Sequence, residues 1–287
     1  MICAILFLIL LLCFPQIVVT GSKYGVCLWL QELLPTLLPF FIAIGLLKTS
    51  FPSLVSKKPL LLLGILCGYP TGAILVASQY EAGRLSPAAA YFYLGFVNNP
   101  SPMFVLAFCG QGILKESLSQ SFLLFVLLIL CSFTGSAIFY VFAKQKATKK
   151  PAFPLHICSE PAMAERLDQI ILESFSTIVK VGGYVIIFSI LGKFISTLCE
   201  QNALAQILCT GALEITCGIS YIQTFTSILS LEKVLLMAIL GFGGLSAAAQ
   251  TASVLTKTGL SICPYILIKG INSILCGTFT YLLFYIF

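Results

Sequence analysis

The sequence predicts an all-α polytopic membrane protein made of two inverted structural repeats, with re-entrant hairpins and broken transmembrane helices. Three observations carry that prediction. First, 59% of the 287 residues are hydrophobic and 9% are charged, and the mean hydropathy is +1.05, a composition suited to lipid rather than water. Second, moving the chain along itself by 146 residues lays its second half over its first without a gap, so that Leu94-Gly95-Phe96 meets Leu240-Gly241-Phe242 and Gly72 meets Gly218. Third, apolar segments are interrupted at corresponding places in both copies, the pattern from which transporters build a site between their halves.

The hydrophobic stretches run over residues 1–19, 26–47, 59–80, 87–110, 120–142, 177–198, 203–229, 233–256 and 262–287. Each is roughly 20 residues or more, enough for a hydrocarbon core of about 30 Å. The first lacks a basic start and a small-x-small cleavage pattern before Gly21, so it reads as a retained helix rather than a signal peptide. The organisation that follows is an N-terminal transmembrane helix at 1–19, a first repeat at 20–143, a cytoplasmic linker at 144–165 and a second repeat at 166–287. The linker is the longest polar stretch and holds Lys144, Lys146, Lys149, Lys150, Pro151 and Pro154.

The formal charge of +6 sits largely in such loops, which reads as positive-inside topology and not as a nucleic-acid surface. The twelve cysteines are scattered through apolar runs with no C-x-x-C pair, and the single histidine, His156, lies in the linker. Neither a disulfide scaffold nor a metal site is expected.

Two stretches read as re-entrant hairpins. In the first, Cys67-Gly68-Tyr69-Pro70-Thr71-Gly72 places a proline without an amide proton between glycines that permit non-helical backbone. Its counterpart spans Gly211 to Gly218 and holds Glu214-Ile215-Thr216. If both hairpins return, the basic loops 48–58 and 144–150 fall on the cytoplasmic side. The chain then makes seven crossings, with the repeats inverted and the carboxyl terminus outside.

Chemistry is expected where polar residues interrupt apolar helices. Asn98-Asn99-Pro100-Ser101-Pro102 cuts the fourth stretch, and a half-helix should restart there behind an Asn99 or Ser101 cap, with the amides of Met103 and Phe104 facing a cavity. In the second repeat, Gly243 and Gly244 break the helix, Ser246 is placed to cap the restart, and Gln250 lies one turn on. Glu214 is an acid deep in the membrane, a costly position that points to function. Tyr69, Thr71 and Thr216 complete a polar midplane, with Gly68, Pro70, Gly72, Pro100, Pro102, Gly243 and Gly244 as the breaks. Trp29, Tyr80, Tyr91, Tyr93, Tyr140 and Tyr265 read as interfacial anchors. An intramembrane enzyme would need a nucleophile with a base, or a metal cluster, and the chain offers too few such groups.

These residues resemble a family. The stretch Leu28-Trp29-Leu30 to Ile42, Gly68-Tyr69-Pro70-Thr71-Gly72-Ala73 and Asn98-Asn99-Pro100-Ser101-Pro102-Met103-Phe104 look like the YlbJ-type sporulation integral membrane proteins of endospore formers. Lys180-Val181-Gly182-Gly183-Tyr184, Gly211 to Gly218 and Leu240 to Gln250 are similar to that family's nucleoside-recognition (Gate) blocks. The resemblance implies transport of dipicolinic acid across the outer forespore membrane. It also implies a site of Asn98, Asn99, Ser101, Ser246 and Gln250 for the carboxylates, with Tyr69 or Phe242 against the ring and Glu214 as a coupling position for a proton or sodium ion. No resident cofactor is expected; the partners are the small anion and the bilayer, with a homo-oligomer as an option. The alternatives are a nucleoside or other small solute, or a non-transporting subunit of a sporulation complex.

Overall fold

The computed structural model describes residues 2–50, 63–144, 163–225 and 231–286. Within them the chain is helical throughout: α1 (Ile2–Cys13), α2 (Pro15–Leu28), α3 (Leu34–Ser50), α4 (Leu63–Cys67), α5 (Thr71–Glu81), α6 (Pro87–Val97), α7 (Leu118–Lys144), α8 (Met163–Leu198), α9 (Ala203–Leu213), α10 (Ile215–Phe225), α11 (Glu232–Phe242), α12 (Gly244–Leu255) and α13 (Cys263–Tyr281). Three π-helical stretches join or extend them, at Trp29–Leu33, Phe104–Ile113 and Leu282–Ile286. Five helical runs are long and apolar enough to cross a membrane, namely Pro15–Leu47, Leu118–Ala143, Leu167–Leu198, Glu232–Leu255 and Cys263–Ile286. The protein is an all-α polytopic membrane protein.

The amino-terminal boundary differs from expectation. The helix ends at Cys13, Phe14 leaves helical geometry, and Pro15 starts a helix that continues past Val19 and through Gly21 and Gly25. Proline fits a first helical turn, where no amide proton is needed. At 12 residues, α1 is about 18 Å long and does not by itself span a hydrocarbon core of about 30 Å. Gly21 and Gly25 are packing surfaces within the continuing helix. A Cβ on Gly21 would stand 2.8 Å from the Ile190 Cα, and one on Gly25 would stand 2.9 Å from the Ile186 Cα. Small residues of this kind let helix backbones approach where apolar burial supplies no drive between helices in lipid. Further along, Pro35 has no amide for the Gln31 carbonyl, and the helix absorbs the loss as a π turn in which the Leu34 amide reaches the Trp29 carbonyl.

The same contacts fix the direction of the two repeats. The helix Pro15–Ser50 and α8 occupy equivalent places in the 146-residue alignment. Along their interface Gly21 meets Ile190, Gly25 meets Ile186, Trp29 meets Gly182 and Gly45 meets Ile170. One number rises as the other falls, so the equivalent helices run antiparallel. The next equivalent pair, α7 and α13, does likewise: Cys131 contacts Cys276 and Gly135 contacts Asn272. Each half lays down a long helix, a hairpin, a broken helix and a second long helix in the same order.

The hairpins close on glycine. In α4–α5 a Cβ on Gly64 would sit 2.9 Å from the Gly72 Cα, and in α9–α10 Gly218 presses against the Gly211 backbone. Each tip then docks on the helix break of its own repeat. Gly68, with φ +74°, leaves room for the Ser101 amide at 2.8 Å from its missing Cβ, and the corresponding position on Gly244 lies 3.3 Å from the Leu213 carbonyl oxygen. The basic loop 51–58, Lys146 to Lys150, and His156 fall outside the described residues.

Candidate functional site

Four half-helices begin near the middle of the molecule, and what satisfies their first amides separates them. At α5 the Asn98 carboxamide oxygen accepts from the Ala73 amide at 3.1 Å. At the restart after the first break, Ser101 Oγ accepts from the Phe104 amide at 3.3 Å, with Pro102 in the first turn. At α10 the Glu214 carboxylate accepts from the Cys217 amide at 2.8 Å and from the Thr216 hydroxyl at 3.1 Å, a favourable place for an anion at a positive helix end. At α12 no side chain caps the start, and the preceding Gly243 holds φ +82°. Two expectations are thereby corrected. The Phe104 amide is engaged by Ser101 rather than free, and Ser246 lies inside the first turn of α12 instead of capping it. The glycine pair makes the turn into α12 through the left-handed region without a side chain.

The two asparagines are engaged by protein as well. Asn98 donates to Thr251 Oγ1 at 2.9 Å and to the Tyr265 hydroxyl at 3.0 Å. Asn99 donates to the Phe96 carbonyl at 2.7 Å and accepts from Ser132 at 3.2 Å and from Lys269 Nζ at 2.7 Å. Together they tie the first hairpin and α7 to α12 and α13, which belong to opposite repeats. Neither borders the central cavity, and Thr71 faces a separate side cavity of about 140 Å³ with Phe41, Ile170 and Glu173.

The central cavity brings together Tyr69, Ser101, Glu214, Thr216, Ser246 and Gln250, with Pro100 and Gly243 at its walls and Leu33, Leu37, Val181 and Val185 from the two antiparallel long helices. Its volume is about 50 Å³, far below the roughly 300–1,000 Å³ of ordinary small-molecule sites. In the described conformation it has room for little more than water. Two buried polar atoms in its lining have no partner, the Tyr69 hydroxyl and Gln250 Oε1. The Tyr69 hydroxyl lies beside Tyr265 at a geometry that makes no hydrogen bond. Gln250 donates only a long bond, 3.5 Å, to Ser246 Oγ. Buried polar atoms are nearly always paired, and two of the four unpaired ones among the described residues lie in this lining, the others being Ser136 Oγ and Asn272 Oδ1 between α7 and α13.

Larger cavities flank it. One of about 380 Å³ is lined by Glu81, Lys180, Tyr184, Ser253 and Lys257, and shares Val181 and Gln250 with the centre. On the far side, about 230 Å³ are lined by Tyr24, Ser189, Lys193, Cys217 and Tyr221. α8 visits all three, through Thr177, Val181, Val185, Ser189 and Lys193. Successive members of this row lie about one turn apart and drift by roughly 40° each, so the stripe winds part-way round the helix over about 24 Å.

Four residues were misread or missed in the sequence. Trp29, Tyr80 and Tyr265 are not interfacial anchors: Trp29 donates to the Ile178 carbonyl at 2.9 Å against Gly182, Tyr80 is buried in an apolar cluster, and Tyr265 is buried at Asn98. Lys269 is buried in α13, with its ammonium 2.7 Å from Asn99 Oδ1 and 5.5 Å from the centre of the Tyr69 ring. A lysine in the middle of an apolar segment is the same signal that singled out Glu214.

Half-helices from two antiparallel repeats thus begin around one central cavity. The chain is 25% identical over 94% of its length to the sporulation integral membrane protein YlbJ of Bacillus subtilis strain 168, of which the alignment covers 78%. No family model matches the chain, and no solved structure does.

Proposed function

We propose that the protein is a transporter that moves a small organic anion, dipicolinic acid in the first instance, across a membrane of a sporulating cell by alternating access. The similarity to a sporulation integral membrane protein supports the setting. The observation that carries the transport reading is the central cavity, lined from both repeats and both hairpins, with the unpartnered Tyr69 hydroxyl and Gln250 Oε1 in its wall.

In this reading the solute meets Tyr69, Ser101, Thr216, Ser246 and Gln250, and its carboxylate lies at the uncapped start of α12. Asn98 and Asn99 position the breaks. Anions are favoured at a helix start whose amides no side chain occupies. Entry comes from either flanking cavity along the α8 stripe, once Val181 and Gln250 part on one side or Val185 and Thr216 on the other. Glu214 is the coupling position: when its proton or a sodium ion departs, the carboxylate tightens onto the Thr216 hydroxyl and the Cys217 amide and repels the solute.

The experiment is uptake into liposomes by the purified protein. Accumulation of dipicolinate is expected, and Glu214→Gln should keep the fold, because an amide oxygen can still accept from Cys217, while removing dependence on a proton or sodium gradient. Purified protein that moves no solute sinks the transport reading in favour of an accessory subunit, and unchanged gradient dependence in the variant sinks the role of Glu214.

A further inference from the structure

We infer that Lys269 is the specificity-determining cation of the central site, and that its unpaired charge makes the cavity select a carboxylate over a neutral solute of the same shape. The inference rests on the transport reading for where the solute sits. It starts from charge. Lys269 is 1% exposed, and the groups it touches are both uncharged, the Asn99 carboxamide oxygen and the Tyr69 ring. Among the described residues no carboxylate pairs with it. Glu214, which borders the same cavity, directs its two oxygens to Thr216 and the Cys217 amide of its own hairpin.

An intramembrane cation held only by neutral groups is costly, and such groups usually face a pathway or a charged ligand. Here Lys269 stands behind the cavity wall and not in its lining. Tyr69 lies between Lys269 and the cavity, with its ring toward the ammonium and its unpartnered hydroxyl in the cavity wall. Gly243 forms the other side of that wall. A Cβ there would meet the Tyr69 hydroxyl and would stand 3.3 Å from Lys269 Cε. The left-handed glycine that opens α12 therefore gives room to the tyrosine and lysine behind it. The positive end of α12 and the phenol hydroxyl act on one small volume, with the Lys269 amine behind the tyrosine held as an ammonium by an anion that enters. An anion entering that volume supplies the missing counter-charge; a neutral isostere does not.

A structural role for Lys269, as an anchor for Asn99, predicts something different, and Asn99→Asp separates the two. The substitution is nearly isosteric and keeps acceptors for Lys269 and Ser132, at the cost of the bond to the Phe96 carbonyl, a loss that would weaken both probes alike. It gives an anchoring lysine a stronger partner and gives a selecting lysine the counter-charge that cancels its field. The probes are pyridine-2,6-dicarboxylate and its neutral diamide, each measured for binding to the detergent-purified protein and for uptake into liposomes of uncharged lipid. Wild type should prefer the dicarboxylate. Asn99→Asp and Lys269→Gln should each lower that preference roughly tenfold or more, with diamide binding unchanged, and Lys269→Arg should retain it. A preference in Asn99→Asp equal to wild type, or an equal fall for both probes, overturns the inference. Should Lys269→Gln fail to fold, Asn99→Asp decides alone. Wild type that binds the dicarboxylate selectively without carrying it removes the transport reading and leaves the inference standing; wild type that binds neither removes both.

Discussion

The break at Asn98–Pro102 and the break at Gly243–Ser246 stand at matching places in the two repeats, receive the tips of their own hairpins, and are finished in opposite ways. In the first, proline stops the helix and polar side chains occupy nearly every exposed group: Asn98 bonds Ala73, Thr251 and Tyr265, Asn99 bonds Phe96, Ser132 and Lys269, and Ser101 caps Phe104. In the second, glycine turns the chain through φ +82° and +76°, no side chain caps the restart, and Gln250 Oε1 remains unpartnered. The first break is a knot that holds the repeats together. The second is a surface that still has hydrogen bonds to give.

If that contrast is right, substitutions in the first break should cost stability and substitutions in the second should cost transport. The largest effect belongs to Asn98→Ala. It strips the acceptor from a buried amide and the donor from two buried hydroxyls, of which Thr251 keeps its bond to the Ala247 carbonyl, and each group left orphaned costs on the order of 1–3 kcal/mol. A loss of about 3 kcal/mol or more is expected, read as a lowered unfolding midpoint in detergent. A midpoint within error of wild type would mean that the knot is dispensable.

Gly243→Ala comes next and touches both properties. A Cβ at positive φ costs roughly 1–2 kcal/mol by itself, and here it also meets the Tyr69 hydroxyl. Reduced stability and abolished uptake are expected. The double variant with Tyr69→Phe removes the obstructing oxygen, so it should recover part of the midpoint, a coupling that a cycle of the two singles would measure. Additive effects would show that the tyrosine is not what requires glycine there.

The contrast between the breaks was only half legible in the sequence. Both breaks could be read directly, because proline, glycine and paired asparagines inside an apolar run leave a helix no way through. Direction could be read from the duplication together with charge. The state of each helix start could not, because it depends on partners remote in the chain: the groups that saturate Asn98 lie 25, 153 and 167 residues away. Proximity in one dimension made Ser246 look like a cap, whereas the glycine pair had already completed the turn. The packing role of Gly21 and Gly25 was hidden for a similar reason, since nothing local reveals that Ile190 and Ile186 press against them. Lys269 was legible and overlooked; its position inside the last apolar stretch carried the same cost that drew attention to Glu214.

The smallest expected change in stability, and the sharpest test of the contrast, is Gln250→Leu. Gln250 gives the fold one long hydrogen bond to Ser246 and buries a carbonyl oxygen without a donor. Replacing an unsatisfied buried amide by an apolar side chain of similar size is neutral or stabilising, so the unfolding midpoint should stay level or rise. Uptake should nevertheless weaken, with the half-saturating dipicolinate concentration raised about tenfold if one hydrogen bond worth about 1.4 kcal/mol is lost to the solute. Stability and transport would then move in different directions at one residue, which a residue serving only the fold cannot do. A midpoint that falls as it does for Asn98→Ala would make the second break a scaffold like the first, and the solute would have to be sought elsewhere along the α8 stripe.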